Sequence, residues 1–358
     1  MKNIVELTEV NREDLPSIYC DMDQVLVNLF KGAEKVLGYP LDQYKTSEQK
    51  QDRWKRINAV KNFWENLSIN QKLAITAWVF LAIPIIFYVT IRFYPTYEAF
   101  YVSFMKWNLL GAKKYIGFKH YIRIFNDEDF WIVLWNTIKY ALIGVPISLL
   151  ISFTVAYYLN EIKFGHQTIR AFYFVPFLTT AIAMAWVWRW FYQPMPIGYF
   201  NIMLSYVGIP QQPFLRSIEQ ALYSVMAPAV WAGLGFQIVI FIAGIRAIPK
   251  SHFEAAEIDG AGRLQILKEI ILPALKPTTI FLVVISTIGF LRIFDQVYSM
   301  SEDSAGGPLN ATKPLVLMIY EYAFDIYKLG RASALTVILF LLLLTVSLLQ
   351  LWFMRKQK

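Results

Sequence analysis

Six long apolar runs organise this chain, at residues 74–97, 131–159, 171–192, 221–245, 277–299 and 332–354. A helix of about 20 apolar residues crosses the hydrocarbon of a bilayer, and each run meets that length. The pattern predicts an all-α polytopic membrane protein with about six transmembrane helices. Pro84, Pro146, Pro176 and Pro228 fall inside the runs. Spanning helices tolerate proline where neighbouring helices satisfy the freed carbonyls, so the spans are expected to pack as a bundle. Residues 1–67 break the pattern, being polar, mixed in charge and without a run long enough to span. They read as a small soluble extension ahead of a membrane domain over 68–358. The start carries no basic segment leading into an apolar one, so no signal peptide is expected.

Composition agrees with lipid as the solvent. The 358 residues are 56% hydrophobic and only 17% charged, with a mean hydropathy of +0.41. Ordinary soluble domains are about a quarter charged. One cysteine, Cys20, excludes an internal disulfide framework, and three histidines leave little for a His-based metal cluster. The net charge of +8 does not imply nucleic acid, because the basic residues flank apolar runs instead of forming a basic domain.

Those flanking residues set an orientation. Arg53, Lys55, Arg56, Lys61 and Lys72 precede the first run, and Arg355, Lys356 and Lys358 follow the last. The 247–276 loop and its edge carry Arg246, Lys250, Arg263, Lys268 and Lys276. An even number of spans puts all three segments on one side, which the positive-inside rule makes cytoplasmic. The 98–130 loop disagrees, with Lys106, Lys113, Lys114, Lys119 and Arg123 on the expected outer side. Three segments outweigh one, so both termini are expected in the cytoplasm.

The 247–276 loop has internal structure. Ser251 and Glu254 have capping-box spacing for a helix start. Ala255 and Ala256 are small and allow another surface to approach. Gly260 and Gly262 permit a sharp turn. Leu264, Ile266, Leu267, Ile270 and Ile271 mark a second, amphipathic helix, and Pro273 and Pro277 close it. One reading of such a loop is an amphipathic linker lying on lipid. The spacing favours another reading: Glu254-Ala255-Ala256, three residues, Gly260, nine residues, Ile270, one residue, Leu272-Pro273. This resembles the EAA motif of ABC importer permeases, position by position. The resemblance implies the type I ABC importer permease fold. It implies a coupling helix that docks on an ATP-hydrolysing subunit through Glu254, Ala255, Ala256, Asp259, Gly260, Ile270, Leu272 and Pro273. It also implies partners: a second homologous permease subunit, two ATP-binding subunits and an extracytoplasmic sugar-binding protein. The bacterial inner membrane would be their setting. The sequence has no G-x-x-x-x-G-K-[ST] phosphate loop. The chain is therefore expected to be no enzyme and to hold no cofactor, with ATP and Mg²⁺ used by the partner ATPases.

The likeness extends over roughly 70–358 and is greatest to the sugar-transport branch. Tyr94-Pro95, Asn136-Thr137, Trp188-Arg189, Gly306-Gly307-Pro308 and Gly330-Arg331-Ala332-Ser333-Ala334 carry it. Glu302-Asp303-Ser304-Ala305 departs from the branch, which usually has threonine just before Gly-Gly-Pro. The implied cargo is a sugar or a related polyol or glycoside; an amino acid or ion would keep the fold and change the substrate.

Polar residues inside a bundle are costly and are candidates for function. Gln237, Arg292, Asp295 and Gln296 qualify, and Trp231 could stack on a sugar face. Simpler readings exist: an Arg292–Asp295 pair at i and i+3, an interhelical hydrogen bond for Gln237, and an interfacial belt of Trp186, Trp188, Trp190 and Tyr192. The extension holds one further candidate. Asp21 and Asp23 end an apolar stretch and could serve as nucleophile and acid/base around Mg²⁺. This resembles the first motif of haloacid-dehalogenase-type phosphatases, truncated before the later motifs. A membrane-tethered Mg²⁺-dependent phosphatase is thus the alternative function.

Overall fold

The computed structural model describes residue 55 and residues 67–109, 111–162, 166–301 and 306–355. The 1–67 extension, with Asp21 and Asp23, lies almost wholly outside the described residues, and so does the 302–305 departure. The chain divides into two compact units, residues 1–89 and 90–358. In the first unit, α1 (Ile69–Tyr88) starts at a full capping box. Ser68 Oγ accepts from Gln71 N, and Gln71 Oε1 accepts from Ser68 N. None of its residues is buried.

The second unit opens with α2 (Tyr94–Val102) and a two-stranded antiparallel ladder pairing Met105 with Tyr115. This small ladder is an addition to the expected all-α architecture. A short helix α3 (Lys119–Phe125) leads to α4 (Glu128–Glu161). Asp127 caps α4, and Glu128 and Asp129 lie in its first turn, where acidic groups complement the helix dipole. Then come α5 (His166–Leu178), α6 (Ala181–Phe191), α7 (Tyr199–Tyr206) and α8 (Ala221–Arg246). Helix α9 (Lys250–Ile258) precedes α10 (Arg263–Ile266), which runs on through a π turn to Ala274. The rest is α11 (Lys276–Leu291), α12 (Asp295–Met300), α13 (Leu315–Tyr320) and α14 (Leu329–Arg355).

Among the described residues, four helical runs are long and apolar enough to cross a membrane: Ile69–Val102, Glu128–Glu161, Ala221–Arg246 and Leu329–Phe353. The count rises to six if two bent pairs are each one span. The third expected span, 171–192, is one of these pairs and is not a straight helix. Ala171–Leu178 and Ala181–Phe191 meet at 104°. Thr180 leaves helical geometry and its side chain caps α6 at Ala183 N, so the second half starts as a new helix. Pro176 lies one turn before the break. The fifth expected span, 277–299, ends at Leu291. Arg292 and Phe294 have non-helical backbones, and Asp295 opens a separate helix. Its other end joins Arg263–Ala274 at 64°.

The core forms where α8 meets α4, α5 and α11. Tyr140, Phe241, Ile238, Leu275, Leu282 and Met300 are fully buried there. A second cluster of Ile124, Phe130, Val133, Leu315 and Leu335 joins α3, α4, α13 and α14. Beside it, Asn136 Nδ2 donates to the Asn310 carbonyl at 2.7 Å, and Tyr140 Oη donates to that of Thr312 at 3.0 Å. Leu315 N donates to Thr137 Oγ1 at 2.8 Å. These side chains of α4 hold the 306–315 loop in place.

His120 of α3 is buried and its Nε2 lies 3.0 Å from the Met105 carbonyl. Burial pushes the imidazole below its ordinary value of 6.5; Arg123 and Arg331 add to this, and the Met105 bond opposes it. The fold thus favours neutral His120. That contribution is complete above the unfolded value and is lost as pH falls through the lowered one. Thermal unfolding of the purified protein should show stability falling below about pH 6.5, with a shallower fall in His120→Asn.

Candidate functional site

The 247–276 loop projects beyond the ends of α8 and α11. The capping box expected at Ser251 is absent. Pro249 occupies the N-cap, no side chain caps the helix, and Ser251 falls inside its first turn. A hydroxyl there is past the backbone donors it was expected to satisfy. The far end of α9 is better defined. Gly260 has φ +71°, Gly260 N donates to the Glu257 carbonyl at 3.1 Å, and Ala261 N donates to that of Ala256 at 2.9 Å. This bond pair is the Schellman termination, in which glycine takes the left-handed position. Gly262 then serves as the N-cap of α10.

The turn folds α9 and α10 around a groove of about 380 Å³, lined by His252, Ala255, Ala256, Asp259, Gln265 and Ile270 among others. Glu254, Ala255, Asp259, Gly260, Leu272 and Pro273 are exposed, and Ala256 and Ile270 are half-buried. Ile258 is 86% exposed and Leu264 66%, so the tip of the loop presents bare apolar surface. The opposite side is anchored. Phe253, Ile266, Leu267 and Ile270 pack on the main core, and Ile271 and Leu275 are buried in it. Arg246 Nε donates to Asn160 Oδ1 at 3.3 Å, tying the loop's start to the end of α4. A push on α9 therefore has a packed route into α4, α8 and α11.

The residues singled out inside the bundle do not form one site. Gln237 is buried between α4, α8 and α11, accepting from Ser152 Oγ at 2.6 Å. Its Nε2 donates to Ser286 Oγ at 3.1 Å and to Ser148 Oγ at 3.3 Å. It is an interhelical hydrogen-bond centre, as the simpler reading expected. Its serine partners were not singled out in the sequence, although Ser148 and Ser152 lie one turn apart within a span. Trp231 is 42% exposed, with its ring 5.8 Å from Trp188. Arg292 and Asp295 are both exposed, and the ion pairs among the described residues do not join them. The i, i+3 geometry of a helix does not apply, because the backbone breaks between them. Gln296 is half-buried in the first turn of α12. The expected aromatic belt also divides. Trp186 and Trp190 are exposed, whereas Trp188 and Tyr192 pack inward against Phe200.

Replacing Gln237 by leucine tests its role. Interhelical hydrogen bonds in membranes are worth about 0.6 kcal/mol on average. Gln237→Leu removes three such bonds and should lower stability by about 2 kcal/mol in thermal unfolding. Uptake should persist if the residue only joins helices, and fall if it touches the cargo.

Residues 69–358 match the family described as "Binding-protein-dependent transport system inner membrane component". The chain is 29% identical over 255 residues to the trehalose/maltose transport system permease protein of Thermococcus litoralis, covering 71% of this chain and 85% of that protein. It is 31% identical over 257 residues to the sulfoquinovosyl glycerol transport system permease protein of Agrobacterium fabrum, covering 71% and 82%. Among solved structures, it resembles a chain of a bacterial alginate ABC transporter in complex with alginate pentasaccharide-bound periplasmic protein. The TM-score is 0.68 at 22% identity, over 78% of this chain and 94% of that one, a likeness of fold. The Asp21–Asp23 segment lies before the matched region, and nothing in these likenesses supports a phosphatase. The family match covers the whole membrane domain, and the chain belongs to the binding-protein-dependent transport system inner membrane components.

Proposed function

We propose that this chain conducts a sugar, or a related polyol or glycoside, inward by alternating access, driven by ATP hydrolysis in partner subunits. The observation that carries the coupling is the α9–Gly260–α10 loop, exposed at its tip and rooted in the core. The named relatives that move trehalose, maltose and sulfoquinovosyl glycerol support the cargo class. In this reading Glu254, Ala255, Ala256, Asp259 and Gly260 meet the ATP-binding subunit. Ile270, Leu272 and Pro273 lead its motion into α11, and both chain termini share the loop's cytoplasmic side. In the 98–130 loop, whose Lys and Arg run against that orientation, Lys113 is engaged by Glu98 at 2.6 Å and lies over the Trp107 ring. A second permease subunit completes the pathway, and an extracytoplasmic binding protein delivers cargo. Trp231, Gln237, Arg292, Asp295 and Gln296 are the path candidates.

Purification in mild detergent from its own host should retain a second permease subunit and an ATP-binding subunit. Proteoliposomes of that complex with its binding protein should accumulate maltose, trehalose or another sugar only with ATP on the loop's side. Uptake without ATP, or a chain that purifies alone and transports, would contradict the proposal.

A further inference from the structure

An open, shallow hollow of about 320 Å³ lies at the end of α8 opposite the coupling loop, lined by Tyr192, Gln212, Phe214, Gln220, Tyr223 and Ser224. Helix α8 has 26 residues. At 1.5 Å per residue it holds the two sites about 39 Å apart, on opposite membrane faces.

The hollow's walls are locked by hydrogen bonds. Gln220 Nε2 donates to Gln212 Oε1 at 2.8 Å, and Gln220 Oε1 accepts from Phe214 N at 3.1 Å. Gln212 is fixed in turn: its Nε2 donates to the Pro210 carbonyl at 2.9 Å, and its N donates to Asn201 Oδ1 at 2.8 Å. Ser224 Oγ donates to the Gln220 carbonyl at 2.9 Å. Phe214 is held at φ +44°, a costly conformation for a bulky residue. Its ring is thereby set 4.7 Å from that of buried Tyr192. Backbone strain persists where surrounding contacts enforce it and clusters at binding sites. Tyr223, 53% exposed, leaves an aromatic face at the mouth.

No charged side chain lines the hollow, so an ion would find no partner in it. The exposed lining is mostly the aromatic faces of Tyr192, Phe214 and Tyr223, which suit the apolar face of a neutral ring. The Gln212–Gln220 pair fixes the wall at its edge, and the ring faces take the apolar side of a sugar. The volume lies at the small end of ligand pockets, which run from about 300 to 1,000 Å³. We infer that this hollow is an outer-face subsite for a single neutral sugar ring, occupied before the cargo enters the bundle. The inference rests on the proposed sugar import and adds a place of contact that none of the bundle residues supplies.

Saturation-transfer difference NMR on the assembled transporter in nanodiscs, without its binding protein, tests it with maltose, trehalose and arabinotriose as probes. Ring protons of at least one probe should receive saturation. The signal should fall more than about twofold in Tyr223→Ala and in Gln220→Leu, and persist in Tyr223→Phe, which keeps the stacking face. Uptake of the same sugars by the complete system is measured alongside. Uptake with no signal, or with a signal indifferent to both Tyr223→Ala and Gln220→Leu, overturns the subsite and leaves the import reading standing. Neither uptake nor signal with any probe overturns both.

Discussion

Gly260→Pro is expected to cut ATP-driven uptake by about tenfold or more while the chain still reaches the membrane. Proline fixes φ near −65°, whereas Gly260 stands at +71°. The change also removes the N–H that donates to the Glu257 carbonyl. The Schellman termination is lost, and α9 leaves the angle on which its proposed contact with the ATP-binding subunit depends. Gly260→Ala should be far milder. A Cβ at this position meets nothing within 4 Å, so the cost is the left-handed backbone alone, about 1–2 kcal/mol. Asparagine, which tolerates that conformation, should be milder still. Uptake by proteoliposomes of the three variants, normalised to the amount of complex, gives the ranking.

The second large effect is expected at Gly235, where helices touch backbone to backbone. A Cβ there would lie 2.4 Å from the Tyr173 carbonyl oxygen and 2.9 Å from the Phe174 Cα. Neither atom can rotate away, so α8 and α5 must separate. Overpacking of this kind costs about 1–3 kcal/mol, and Gly235→Leu should stand at the upper end. Gly233, two residues earlier, provides the control. Its nearest neighbour would be Gln237 Nε2 at 3.7 Å, an ordinary van der Waals distance, so Gly233→Ala should be tolerated. Thermal unfolding of the two purified variants should separate them by several degrees. Equal stability would contradict the close approach of α5 and α8.

Much of this architecture is legible in the chain because lipid imposes a simple rule. Apolar length alone locates the runs that became α4, α8 and α14, since every backbone group in hydrocarbon must be satisfied within a helix. The same rule is blind to bends. Ala171–Phe191 is apolar enough for one span, but Thr180 caps a new helix at its middle, and hydropathy carries no trace of that hydroxyl. Short polar details misled in the opposite direction at α9. Ser251 and Glu254 have the spacing of a capping box, but Pro249 starts the helix earlier and shifts both out of register. The real box lies at Ser68 and Gln71, where the sequence offers the same signal. Gly260 was readable because a left-handed turn has few residues to choose from. The Gln237 centre was half readable: a buried amide in a span announces itself, while serines that bond their own helix do not.

Site-specific photo-crosslinking on the assembled transporter tests the central claim, that energy enters through α9. A photoreactive phenylalanine analogue is placed at Ala255, on the exposed face of α9, and separately at Tyr206, which is 84% exposed on the opposite side of the membrane domain. Irradiation should join the ATP-binding subunit to the chain from position 255 and not from position 206, with a yield that changes when ATP is added. An ATP-binding subunit captured from position 206, or none captured from position 255 in a complex that still transports, would contradict the account.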